Sequence, residues 1–115
     1  MTKKQTYKFG ILAEKIALLF LILKGYKILA WRYKSIFGEV DIIAKKSKTI
    51  IAIEVKARKR KAVIEEILRP TQIMRVKKSA EFFLVKNKKF RNHNLRFDFI
   101  EVGRFFIFKH HKNFF

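Results

Sequence analysis

The stretch that decides the fold is IFGEVDIIAKKSKTIIAIEVKA, residues 36–57. Two runs rich in branched apolar residues flank a short polar segment, the pattern of an antiparallel hairpin with strands over 36–44 and 49–57 and a loop over 45–48. Side chains alternate across a strand, so Ile51, Ile53 and Val55 take one face while Ile50, Ala52, Glu54 and Lys56 take the other. A four-residue loop sets Ala44 opposite Thr49, Asp41 opposite Ala52 and Glu39 opposite Glu54. On that register Glu39, Asp41, Glu54 and Lys56 all project from one side of the sheet. Immediately afterwards Arg58, Lys59, Arg60 and Lys61 leave the strand as a block of positive charge.

Working outward, residues 26–33 hold aromatic and branched side chains and read as a further strand, closed by a turn near Lys34 and Ser35. Before it, Phe9, Leu12, Ala13, Ile16, Ala17, Phe20 and Leu23 recur at intervals of three and four, which predicts a helix over 7–24 with one apolar stripe, stopped by Gly25. Glu14 stands off the centre of that stripe, where an ordinary solvated helix residue would also stand. After the hairpin, residues 62–68 read as a short helix or a loop before Pro70, the only proline. Ile73, Val76, Ala80, Phe83 and Leu84 predict a second helix over 71–87, with Thr71 as N-cap. A turn over 92–94, a strand over 95–102 and a last strand over 104–108 complete the chain. The order implies an α/β sandwich with a mixed sheet, because a helical crossover between the third and fourth strands favours parallel pairing there.

A chain of 115 residues with half of them apolar fits a single domain over 1–115 with one modest core. With no cysteine, disulfides and thiolate metal sites are excluded, and a reducing cytoplasm is the expected compartment. The longest apolar run near the N-terminus, Ile16 to Leu23, is too short to cross a bilayer, and no signal-peptide cleavage pattern follows it, so no membrane partner is expected. Lys and Arg number 28 against 9 Asp and Glu, a net charge of +19 that attracts polyanions. AT-rich coding alone also favours Lys, Ile, Phe and Asn, so the placement of charge carries more information than its sum.

Placement points to chemistry. Acids crowded on one sheet face among isoleucines repel each other and lose hydration, a cost with no structural return. A proton, Lys56 or a divalent cation with oxygen ligands would relieve it. Hydrolysis of a phosphodiester needs charge neutralised on a non-bridging oxygen, a hydroxide-like nucleophile and a steadied leaving group, all of which carboxylate-bound Mg²⁺ assists. Lys56, on the same face as Glu54, is placed to orient water or to stabilise phosphate charge. Arg58, Lys59, Arg60 and Lys61 lie where backbone phosphates would arrive. His93, His110 and His111 match no metal spacing and read as surface residues. Trp31, Tyr33 and the Phe105-Phe106 pair read as packing residues before base-stacking ones.

Asp41 followed by Glu54-Val55-Lys56 resembles the D-x(n)-E-x-K pattern of the PD-(D/E)XK nuclease superfamily. The wider string is more specific: Gly10 and Glu14 on a helix, then GYKILAWRYKSIFGEVDIIA, IAIEVKAR, a helix and RFDFIEV. It is similar over nearly the whole chain to the YraN-like family of small bacterial proteins, grouped by fold with Holliday-junction resolvases and restriction-type endonucleases. The resemblance implies a restriction-endonuclease-like αβββαβ core. It further implies that Asp41 and Glu54, helped by the Val55 carbonyl, ligate Mg²⁺ or Mn²⁺, that Lys56 is catalytic, and that Glu14 completes the site from the first helix. Val40 stands where the superfamily motif has proline, and Gln72 where many relatives are expected to carry lysine. Taken together, the expectation is a cytoplasmic, metal-dependent endonuclease acting on DNA, branched or structured forms included, with a homodimer suggested by analogy to resolvases. The other reading is a nucleic-acid-binding protein that keeps the nuclease fold without turnover.

Overall fold

A computed structural model describes residues 2–57, 69–103 and 108–113. Arg58, Lys59, Arg60, Lys61, the segment 62–68 and Phe105-Phe106 lie outside these residues.

Helix α1, Lys3–Leu23, starts earlier than its apolar stripe suggests because Thr2 and Gln5 form a capping box: the Gln5 N–H donates to Thr2 Oγ1 at 3.1 Å and the Thr2 N–H to Gln5 Oε1 at 2.9 Å. It ends where Gly25 adopts φ 91, with the Gly25 N–H donating to the Ile22 carbonyl and the Tyr26 N–H to that of Leu21. That pair of bonds needs a left-handed residue, a conformation glycine adopts without Cβ strain.

Strands β1, Lys27–Ser35, β2, Gly38–Lys46, and β3, Thr49–Ala57, form an antiparallel meander. Helix α2, Pro70–Lys86, crosses over to β4, Asn94–Val102, which pairs parallel with β3. Strand β5, Phe108–His111, then pairs antiparallel with β4. The sheet has five strands in sequence order, a mixed α/β arrangement consistent with the restriction-endonuclease-like core. Arg69, not Thr71, is the N-cap of α2, because Pro70 with its fixed φ and missing N–H suits the first helical position.

The helices cover opposite faces. On the α1 side Ala13, Ala17 and Leu21 pack on Ile42, Ile51, Ile53, Val55 and Ile100. The small alanines bring the helix close to the sheet, and Leu12 and Leu23 of the expected stripe stay exposed. On the α2 side Val76, Ala80 and Phe83 pack on Val40, Ile43, Ile50 and Ala52. Among the described residues no helix is long and apolar enough to cross a membrane.

The β2–β3 register differs from the sequence expectation. Lys46 pairs with Thr49, so the loop is Ser47 and Lys48 alone, with Ser47 at φ 53. Polar Lys45 and Lys46 extend the strand because main-chain pairing does not depend on side-chain polarity, and two-residue turns match strand twist. Ala52 therefore faces Ile43, and Glu39 does not face Glu54. The shift is an even number of residues, so β3 keeps its faces.

Candidate active site

Main-chain pairing of β2 with β3 stops at Ile42 and Ile53. One step further the side chains take over: the Asp41 N–H donates to Glu54 Oε1 at 3.3 Å, and the Val55 N–H donates to Asp41 Oδ2 at 2.8 Å. The two carboxylates thus satisfy the amides that a continued ladder would have used, and they become neighbours across the parted strands.

The parting is prepared on β1. Trp31 pairs with Ile42 and Tyr33 with Val40, which sets Arg32 across from Asp41, and Arg32 adopts φ 56. There the alternation of faces slips: Ile42 packs on the α1 side and Val40 on the α2 side. Glu39 and Asp41 are consequently not simple same-face neighbours. Glu39 is exposed and lines a cleft with α2 residues, while Asp41 is half-buried at the slip.

Glu54 is 3% exposed. Desolvation pushes its carboxyl up to about 8, and the adjacent Asp41 charge pushes in the same direction. Burial likewise raises Asp41 to about 6. The Val55 and Asp41 amides and the nearby Lys56 ammonium favour the ionised forms without offsetting burial. Gln72, at the start of α2, donates from Nε2 to Glu54 Oε2 at 2.8 Å, so the residue standing where relatives were expected to carry lysine holds the glutamate in place.

Glu14 is not a freely solvated helix residue. It accepts from Trp31 Nε1 at 3.0 Å and from Arg32 Nε and Nη2 at 3.2 and 3.1 Å, and its charge contributes to the field at Asp41. The helical glutamate therefore approaches the acid pair through Arg32, a residue the sequence reading missed. Its signal was present in WRY: a long cation inside a strand, facing an acid.

Tyr33 is a packing residue, set edge-on against Phe83 with centroids 5.3 Å apart, and Trp31 is 41% exposed while bonded to Glu14. The adjacent histidines are half-buried and engaged, not freely exposed. His110 Nε2 lies 2.8 Å from Asp98 Oδ2 and His111 Nε2 lies 3.0 Å from Glu101 Oε2, so both are partners of buried acids in β4. Asp98 also accepts Arg96 through both oxygens, and Arg96 in turn donates to the Tyr26 hydroxyl.

Among the described residues no group of three or more His, Cys, Asp or Glu side chains forms a ready metal cage. The acid pair nonetheless fits Mg²⁺ or Mn²⁺ chemically. Such a cation is commonly held by one or two carboxylates and keeps waters and substrate oxygens as its other ligands. Two desolvated, mutually repelling carboxylates are what a divalent charge would stabilise.

Residues 13–102, which contain Glu14, Asp41, Glu54 and Lys56, match the model of the uncharacterised protein family UPF0102. The chain is 45% identical over 97 residues to a UPF0102 protein of Rhodopseudomonas palustris (strain BisB5), covering 84% of this chain and 74% of that one. It is 39% identical over 100 residues to one of Sinorhizobium medicae (strain WSM419), with 87% and 82% covered. Over 104 residues it is 38% identical to one of Caldicellulosiruptor bescii, with 89% and 85% covered. The YraN-like resemblance is thereby borne out, and the chain belongs to the UPF0102 family.

Proposed function

We propose that the protein is a divalent-metal-dependent endonuclease that hydrolyses DNA phosphodiester bonds at the Asp41–Glu54 pair. The observation that carries this reading is the exchange of bonds at the end of the β2–β3 ladder, where Val55 N–H holds Asp41 and Asp41 N–H holds Glu54. It holds a buried and a half-buried carboxylate beside each other with Lys56 close to both.

Asp41, Glu54 and the Val55 carbonyl would hold Mg²⁺ or Mn²⁺. Val55 turns its N–H toward β2, and in extended backbone the carbonyl of the same residue leaves from the same edge. Bound there, the cation would supply charge neutralisation for the scissile phosphate and acidify an attacking water. The chain's own residues do the rest. Gln72 fixes Glu54, and Glu14 holds Arg32 across from Asp41. Lys56 orients the water or stabilises phosphate charge, and Arg58, Lys59, Arg60 and Lys61 follow β3 as backbone-phosphate contacts.

The test is cleavage of junction, flap, single-stranded and duplex DNA in Mg²⁺, Mn²⁺ or EDTA. Wild type should cut only with divalent cation, and Glu54→Gln and Lys56→Ala should bind DNA without cutting it. Activity that survives EDTA would overturn the mechanism. DNA binding with no cleavage in either metal would leave the non-catalytic reading.

A further inference from the structure

Beside the acid pair lies a cleft of about 420 Å³ lined by Gly38, Glu39, Arg69, Thr71, Gln72 and Arg75. Gln72 is the wall the cleft shares with the site, since its amide nitrogen donates to Glu54. Arg75 is set by packing. Gly38 has φ 142, and a Cβ there would come within 3.2 Å of Arg75 Cβ, so the arginine stem lies directly on the glycine backbone.

Among the described residues the arginines are not all available to a ligand. Arg32 and Arg96 are spent on Glu14 and Asp98. Arg69 and Arg75 are exposed, and among the described residues neither is in an ion pair. The one carboxylate in the cleft lining, Glu39, is itself exposed and leaves the local balance positive. Two planar, permanently charged forks lining one cleft match the oxygens of a phosphate.

We propose that the Arg69–Arg75 cleft holds a non-scissile phosphate of the nucleic-acid backbone, next to the one that reaches the Asp41–Glu54 pair. The assignment rests on the nuclease reading for its substrate, but its test does not depend on turnover. The cleft fixes the strand's register relative to the carboxylates from the α2 side.

The experiment is fluorescence anisotropy with a labelled duplex and a labelled single strand, in EDTA, across a salt series. Arg69→Gln/Arg75→Gln keeps the alkyl stem against Gly38 and removes two charges; Lys88→Gln/Arg91→Gln removes two charges just past the C-terminal end of α2. Each lost phosphate contact flattens the plot of log affinity against log salt by about 0.9 on duplex DNA. The cleft variant, which gives up one phosphate, should therefore flatten it by about one contact's worth, and the far variant by clearly less. Equal flattening in both, or none in either, overturns the cleft assignment. Titration with inorganic phosphate separates the sources: if the cleft variant loses phosphate binding while its DNA slope is unchanged, the ligand is a free anion and the backbone assignment falls. Wild-type protein that does not bind DNA would sink both readings, whereas an unchanged slope with intact Mg²⁺-dependent cleavage would sink this one alone.

Discussion

Asp41 and Glu54 are acids whose ionised forms the fold penalises, and the sign of that penalty is measurable. Both folded pKa values lie above their unfolded values, at about 6 and about 8, so the native state binds more protons than the unfolded one between ordinary carboxylate pH and about 8. In EDTA their contribution to stability is therefore least at alkaline pH. Glu54→Gln should leave stability near pH 3 unchanged and raise it at pH 8 to 9, by on the order of 1 to 3 kcal/mol at about 1.4 kcal/mol per pKa unit. Urea melts across pH check this, and a variant less stable than wild type at pH 9 would contradict it. The new amide can still accept from Asp41 N–H and, with Gln72 turned over, donate to its side-chain oxygen. Gln72→Ala should lower kcat through a misplaced Glu54 while leaving the DNA salt slope unaltered, read by single-turnover cleavage beside anisotropy. At this scale the residue types were legible: D-x(n)-E-x-K can be read directly from the sequence. The carboxylate-for-carbonyl exchange and the Arg32 kink were not, because they depend on where a ladder ends.

At the scale of elements, strand β3 and both helices could be read from periodicity, and the faces of β3 are as expected because the register shift is even, whereas those of β2 slip at Asp41. The offset came from treating Lys45 and Lys46 as loop, although their main chain pairs like any other. Of the last strand expected over 104–108, residues 104–107 lie outside the described residues, and β5 runs over Phe108–His111. What fixes it, the Asp98 and Glu101 bonds to His110 and His111 and the Asn113 N–H bond to Asp98 Oδ1, joins residues more than nine apart and leaves no local pattern. Asp98 behaves oppositely to Asp41 and Glu54. Burial alone would raise its pKa, but His110, Arg96 and the Asn113 amide together hold it below the usual carboxylate range. It contributes stability above that range, lost as pH falls through the folded value. Asp98→Ala leaves Arg96 and His110 facing an empty place and should cost about 3 to 5 kcal/mol at pH 7, with the difference shrinking in acid. Equal denaturant midpoints at pH 7 would refute the clamp.

For the whole molecule the net charge of +19 sets two opposed responses to salt. Self-repulsion destabilises the compact state and salt screens it, whereas salt weakens phosphate binding through counterion competition. Raising salt from 50 to 200 mM should raise the thermal midpoint while cutting duplex affinity on the order of a hundredfold if four phosphates are contacted. Charge sum alone does not single out a site, and the claim on which the proposed function turns is that the two desolvated acids, Asp41 and Glu54, take a divalent cation. Calorimetric titration of Mn²⁺ into the protein at pH 7 addresses it most directly. One site that releases protons is expected, so that the heat varies with the ionisation enthalpy of the buffer, and its binding should be lost in both Asp41→Asn and Glu54→Gln. Binding that persists unchanged in these variants, or no binding in wild type, would contradict it.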